Sequence, residues 1–252
     1  WLQPGSPDVK FYLGTHMPSW LYRPGVPVFV SHRRLAARKS YRRAERSWAL
    51  DSGGFTELSM FGGWRTTPDE YIAAVRKYRS EIGMLDWAAP QDWMCEPHIL
   101  AKTGQTIRDH LEHTVANFAR LSISAPEINF IPVLQGWEMG DYLACAQMYA
   151  DVGFDLTTFD TVGVGSVCRR QGTDEIGEIF ETLAGHGLKL HGFGVKSAGL
   201  SRYGKHLESA DSLAWSFRGR YVRPCPHTGV ASCANCEPHA LEWRDRVMLR
   251  VT

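Results

Sequence analysis

The chain has almost no charge imbalance: 28 Lys and Arg stand against 27 Asp and Glu in 252 residues. A near-neutral chain does not coat nucleic acid by bulk charge, so any contact with a polyanion has to come from a local patch. Long apolar runs are also missing. None approaches the ~20 residues that cross a bilayer, and Trp1-Leu2-Gln3-Pro4-Gly5 does not read as a signal peptide. A cytoplasmic location with no membrane partner is therefore expected. Cysteine is scarce, six in all, and Cys95, Cys145 and Cys168 are scattered. That excludes a secreted disulfide framework and fits a reducing compartment. Internal repeats and low-complexity tracts are absent as well.

What is present suffices for a full core. Hydrophobic residues make up 44% and charged residues 22%, which excludes disorder as the main state. Eight apolar, β-branched or aromatic runs read as strands: 11–16, 26–31, 48–55, 84–90, 128–135, 161–167, 188–195 and 210–215. Most are continuous rather than alternating, as strands covered on both faces should be. Helical patterns lie between them. Thr67-Pro68-Asp69-Glu70 is a capping box with Pro at the first helical position, and Tyr71, Val75, Tyr78 and Ile82 then recur on one face. Ile107, Leu111, Val115 and Phe118 repeat the pattern. Further helices are expected near 142–150, at 176–183 before Gly185, and at 238–249.

Eight strands with intervening helices predict an α/β fold, a (β/α)8 TIM barrel, for which ~250 residues is typical. An open doubly wound sheet is the runner-up. The first connection, 17–27, is too short for a full helix. The expected division is a catalytic barrel at 1–217 and a zinc-binding appendage at 218–252.

Barrel enzymes gather reactive groups where strands end. Asp51-Ser52-Gly53-Gly54-Phe55 ends the third expected strand, Asp92 follows the fourth, Gln135-Gly136 closes the fifth, Gly163-Val164-Gly165 lies in the sixth, and Asp211 lies in the eighth. A single Asp of this kind is usually a turn residue; so many strand ends carrying acids and glycines point to a site. Glycines there let a flat ring approach the backbone. His16 and His191 also fall in strands, where a lone histidine is more often structural, so both stay outside the catalytic set.

Near the C-terminus, Cys225-Pro226-His227 precedes Cys233-Ala234-Asn235-Cys236 and His239. Cys225, His227, Cys233 and Cys236 supply soft ligands for a tetrahedral, structural Zn2+, with His239 the competing fourth ligand. Basic residues concentrate at Arg33, Arg34, Arg38, Lys39, Arg42, Arg43 and Arg46. Such a run reads either as a solvated helix face or, leading directly into Asp51, as a nucleic-acid-binding surface.

Asp51-Ser52-Gly53-Gly54-Phe55 resembles the Asp-Ser-Gly-Gly-Phe motif of guanine transglycosylases, barrel enzymes that exchange guanine for a 7-deazaguanine. Val133-Leu134-Gln135-Gly136 is similar to that family's Val-Gln-Gly segment, and the Gly-rich strand and strand-eight Asp follow in the same order. The segments 164–170 and 191–196 look most like the short phage and bacterial branch that modifies DNA (the DpdA-like transglycosylases). The resemblance implies Asp211 as nucleophile at C1′ and Asp51 as general acid/base. It implies Asp92 as the base-reading acid, with Asp86 competing for that role. Gln135 and a backbone N–H near Gly165 (or Gly163) would hold O6, Phe193 would stack on the ring, and Ser52, Gly53, Gly54 and Gly136 would shape the pocket. At the nucleophile the chain reads Ala210-Asp211-Ser212-Leu213, without the family's common Phe-Asp-Cys. A structural zinc after the barrel, held by three Cys and one His, is also a property of these relatives, as is frequent pairing into homodimers.

The function implied is exchange of guanine in DNA for a preQ0-type 7-deazaguanine through a covalent aspartyl–sugar intermediate, with the target flipped or single-stranded. The same chemistry on tRNA is the nearest alternative. Two other classes are a metallohydrolase using His16, Asp51, Asp86 and His191, and a non-catalytic nucleic-acid-binding barrel.

Overall fold

The computed structural model describes residues 9–249, so the Trp1–Gly5 segment lies outside the described residues. Eight parallel strands form one sheet: β1 (Lys10–Thr15), β2 (Val28–Ser31), β3 (Trp48–Asp51), β4 (Leu85–Ala88), β5 (Val133–Leu134), β6 (Val162–Val164), β7 (Leu190–Gly192) and β8 (Ser209–Ser212). Their order is β4-β3-β2-β1-β8-β7-β6-β5. Read cyclically it never reverses, unlike a doubly wound sheet with its switch point. The sheet curls, and one isolated parallel bridge, Ala88 to Phe130, links β4 to the segment before β5. There Ala88 N–H donates to Asn129 O at 2.9 Å and Ile131 N–H to Ala88 O at 3.2 Å.

Helices connect the strands: α1 (His32–Leu35), α2 (Gly54–Thr56), α3 (Pro68–Glu81), α4 (Pro97–Thr103), α5 (Ile107–Ser124), α6 (Met139–Asp151), α7 (Asp174–Gly185), α8 (Ser197–Tyr203), α9 (Ala214–Gly219) and α10 (Glu237–Met248). The Thr67 capping box forms as expected: Thr67 Oγ1 accepts Glu70 N–H at 3.3 Å, and Glu70 Oε2 accepts Thr67 N–H at 2.8 Å. Tyr71, Val75 and Tyr78 of α3 and Leu111, Val115 and Phe118 of α5 are buried against the sheet. The short connection after β1 holds only a 3-10 turn, Pro18–Tyr22.

Two apolar layers explain the continuous strand patterns. Residues such as Leu13, Val30, Leu50 and Leu134 face the helices. The alternate set, Tyr12, Ala49, Trp87 and Val133 with Phe29 and Phe193, fills the inside of the curl, as the period-two geometry of strands requires. All eight expected strands form, but most stop short of their expected C-terminal ends. The third stops at Asp51 because Gly53 adopts φ 89°, a conformation suited to glycine, and the chain turns into α2. The eighth stops at Ser212, and Trp215 belongs to α9 instead. Its indole N–H donates to Gly14 O at 2.8 Å, and its ring stacks on Trp20 at 5.1 Å.

The C-terminal segment packs against this scaffold. Trp243 of α10 meets Phe11 of β1 at 6.0 Å, and the expected division between 217 and 218 falls inside α9. No helix among the described residues is long and apolar enough to cross a membrane.

Candidate active site and metal cluster

A cavity of about 640 Å³ opens at the C-terminal ends of the strands. Every strand sends a residue to it from its end or from the loop that follows. Thr15 comes from β1, Ser31 from β2, Asp51 from β3, Asp92 after β4, Gln135 after β5, Gly165 after β6, Phe193 after β7 and Asp211 from β8. Residues distant in sequence therefore converge on one space because parallel strands all point their ends the same way.

Asp51 and Asp211 both line this cavity. Asp51 Oδ1 accepts Gly53 N–H at 3.1 Å, a bond made possible by the left-handed turn at Gly53. Burial pushes the Asp51 carboxyl above its usual range; the Gly53 N–H and Ser31 hydroxyl oppose this, and the nearby charge of Asp211 adds to it. Asp211, 7% exposed, accepts Gly194 N–H on Oδ1 at 2.9 Å. The fully buried His191 places Nε2 3.4 Å from the same oxygen.

Asp92 sits in a hydrogen-bonded chain. Its Oδ2 accepts Gln135 Nε2 at 2.6 Å, and its Oδ1 lies 3.4 Å from the donating Ser52 hydroxyl. Gln135 Oε1 in turn faces Ser166 Oγ at 2.7 Å, which also lies 3.1 Å from Glu96 Oε2 and accepts Cys95 N–H at 2.8 Å. Burial pushes Asp92 up to about 7, with Asp51 and Glu96 adding to the shift and the Gln135 bond opposing it. Gly165 is required by this arrangement, since a Cβ there would sit 2.2 Å from Gln135 Nε2. Its own N–H is engaged by Leu134 O at 3.0 Å, so the backbone donor expected near it is not that of Gly165. Asp86 lies elsewhere, at the start of β4, bonded to Lys10 at 2.6 Å and to Tyr12 OH at 2.8 Å.

Other expected pocket residues divide. Gly54 and Phe193 line the cavity. Ser52 and Gly53 stand behind the wall and act on Asp92 and Asp51 through the bonds above. Gly136 packs under α6, where a Cβ would meet Asp141 Cβ at 2.8 Å. It is a close-approach glycine, not part of the cavity wall.

The residues of the basic run take different places. Arg33 and Arg34 line the cavity, and Arg33 pairs with the buried Glu57. Arg38 and Arg42 border a separate hollow of about 250 Å³, with Arg42 over the Tyr22 ring at 4.3 Å. Lys39 is exposed. Arg43 donates to Ser80 O at 2.8 Å, at the far end of α3 from its cap.

Several site residues escape a reading of the sequence. Glu57 is 3% exposed and accepts Arg65 N–H at 3.1 Å and Arg65 Nε at 3.3 Å, besides Arg33. Burial alone would raise its carboxyl; Arg65 and Arg33 outweigh burial and hold it below the usual range. The side chain fixes the turn after Gly54 to α1, which follows β2. Glu96, Ser166 and Cys168 reach the cavity wall, as does His16. The flanking cations Arg33 and Arg65 are the one pattern in the sequence that points to Glu57.

The donor atoms of Cys225, His227, Cys233 and Cys236 all lie within 4.8 Å of one another, a cluster able to hold a metal ion. His227 Nδ1 lies 3.9, 3.8 and 3.4 Å from the sulfurs of Cys225, Cys233 and Cys236. Its Nε2 bonds Glu242 at 3.0 Å, which fixes the ring with Nδ1 toward the sulfurs. His239 is outside the four-residue cluster, its ring 6.4 Å from that of His227.

No curated protein matches the chain. A family model does, over residues 8–252, and it describes DpdA, "DeoxyPurine in DNA protein A". With nearly all of its length inside that match, the chain belongs to the DpdA family.

Proposed function

We propose that this protein exchanges a guanine in DNA for a 7-deazaguanine base of the preQ0 type, through a covalent aspartyl–sugar intermediate. One observation carries the reading: Asp51, Asp92 and Asp211 share a single cavity in a chain of the DpdA family. Asp211 attacks C1′ of the target nucleotide with the oxygen not held by Gly194, forming a C1′–O bond as the C1′–N9 bond breaks. The electron pair leaves with guanine, which takes a proton from Asp51, an acid whose raised affinity for the proton suits that task. The incoming deazapurine then gives its N9 proton to Asp51 and displaces Asp211. Two inversions restore the anomer, the logic of retaining glycosidases.

Asp92 accepts N1–H and the exocyclic amine of guanine. Adenine lacks that donor pair and would leave the carboxylate unmatched, a penalty of roughly 10⁴-fold. Gln135 aims Asp92 with one N–H and has a second for O6; the amide of Ser166 is the backbone candidate beside it. Phe193 forms an apolar wall for the ring.

The same reading takes the fold as a closed (β/α)8 barrel with an appendage from about residue 218, supported by the cyclic strand order and the edge bridge. It takes the Cys/His cluster as a structural zinc site. Tetrahedral zinc with three sulfurs and one nitrogen sets donors about 3.5–3.8 Å apart, close to the separations around His227. The metallohydrolase alternative finds no support, because Asp86 is tied to Lys10 at the opposite end of the strands from the cavity.

The test is to incubate the protein with DNA or tRNA and labelled guanine and to trap the intermediate for mass spectrometry. Label entering DNA, with an adduct on the peptide containing Asp211, is the expected result. Exchange into tRNA alone would give the substrate to RNA, and exchange surviving Asp211→Ala would reject the nucleophile.

A further inference from the structure

The exposed face of α9 and the turn that follows it carry chemistry that neither the cavity nor the metal cluster uses. Phe217 is 59% and Tyr221 75% exposed, large values for aromatic rings on a water-facing surface. Their rings stand edge to face at 5.8 Å, and the Arg220 guanidinium lies 5.7 Å from the Phe217 ring. Arg218 is exposed beside them. From Ser212 to Cys236 the sequence holds no Asp or Glu, while Arg218, Arg220 and Arg223 all fall within it. The patch is therefore cationic as well as aromatic.

The opposite face of α9 is pinned. Trp215 is bonded to Gly14, Ser216 Oγ donates to Ala234 O at 2.7 Å, and a Cβ on Gly219 would collide with Cys233 O at 2.5 Å. The helix also begins directly after Leu213, a cavity-lining residue two positions beyond Asp211. Behind burial, the charges of Arg34 and Arg220 both lower the proton affinity of His16, a residue of the cavity wall. The platform is thus rigid and continuous with the mouth of the cavity.

We propose that this face of α9 and the turn after it bind the single-stranded nucleotides beside the target guanine, with Phe217 and Tyr221 stacking on bases and Arg218 and Arg220 meeting phosphates. The proposal rests on the nucleic-acid reading of the cavity. Stacking on aromatic rings beside cations is how single strands are held without regard to sequence. A second copy of this chain fits the face poorly, because a two-fold contact would oppose like arginines.

The experiment measures binding of the full chain to a fluorescent single-stranded DNA with one central guanine, across a salt series. The Phe217→Ala, Tyr221→Ala double variant should raise Kd about tenfold or more. Arg218→Gln with Arg220→Gln should lower the salt slope by about 1.4, at ~0.7 per phosphate contact. In exchange assays, KM for DNA should rise while KM for the free deazapurine stays unchanged. Unchanged Kd and slope in folded variants overturn the proposal. So does loss of a dimer in sedimentation with DNA affinity intact. Should the unaltered protein bind DNA through α9 without exchanging bases, the function proposed above fails and this surface stands.

Discussion

His191 and Asp211 face each other across adjacent strands, Nε2 3.4 Å from Oδ1, with no exposure at the histidine. The sheet dictates this pairing. His191 of β7 is in register with Ser209 of β8, and Ser209 and Asp211 share a face because side chains alternate along a strand. Ser209 Oγ lies 2.9 Å from His191 Nδ1. A hydroxyl donating there leaves the ring proton on Nε2, directed at the proposed nucleophile. Nε2 makes no hydrogen bond in the resting site; one that tightens onto Asp211 as it attacks would be lost in His191→Phe, which should slow formation of the Asp211 adduct by roughly 10- to 100-fold, the range for a hydrogen bond to a charged group. His191→Gln, which keeps a donor near Nε2, should recover much of it. Single-turnover mass spectrometry reads both. Equal rates in folded His191→Phe would remove the histidine from the mechanism.

Asp92 gives two pH dependences of opposite sense. Its carboxyl, pushed up to about 7 by burial, must be ionised to accept two donors from guanine. Guanine affinity should fall about tenfold per pH unit below that value. Folding runs the other way. A raised carboxyl contributes stability that is complete below the unfolded value of about 3.9 and is lost as pH rises through about 7. Between pH 6 and 8, calorimetry should show base-free Tm falling while guanine binding strengthens. Asp92→Asn should flatten both trends and weaken guanine binding. Parallel trends would contradict the assignment.

The strands were legible because both faces of the sheet are buried, which removes the polar alternation and leaves runs such as Trp48-Ala49-Leu50. Their ends were not. Whether Asp51 continues a ladder or turns into a cavity depends on the left-handed Gly53, a backbone state that the sequence allows without requiring. The acids at strand ends were visible as types and positions, and the cavity gathers Asp51, Asp92 and Asp211. Glu57 and Glu96 were hidden because a glutamate in a turn or before Pro97 looks solvated; burial comes from Arg33, Arg65 and Ser166, which are distant in sequence or placed by loops. The arginine run is hard to read for a related reason. Residues 36–47 contain no helix or strand that would fix side-chain direction, so charge along the chain does not say which of its residues face the cavity.

That division makes a contrast testable within the run. Arg34 is exposed at the cavity, whereas Arg43 is bonded to the Ser80 carbonyl near the far end of α3. Arg34→Glu should weaken DNA binding and reduce its salt dependence by about one phosphate contact. Arg43→Glu should leave DNA affinity within about twofold and lower Tm by a few degrees, as loss of a partly exposed hydrogen bond does. A fluorescence titration beside a thermal melt decides it. Equal losses of affinity at the two positions would restore the whole run as a binding surface.

Removal of metal should act on structure before chemistry. Cys225, His227, Cys233 and Cys236 link the loop after α9 to the start of α10, and α10 closes over β1 through Trp243 and Phe11. An ion held by all four of these donors would have no position left for substrate, the arrangement of a structural site. The expected result is one equivalent of zinc in the folded protein. Chelation or Cys233→Ser should lower Tm by ten degrees or so, with activity lost along the melting curve rather than ahead of it. The α9 platform, anchored to Ala234 and Cys233, should loosen at the same time and DNA affinity should fall. Activity abolished at temperatures where the chelated protein is still fully folded would instead give the metal a role in the reaction.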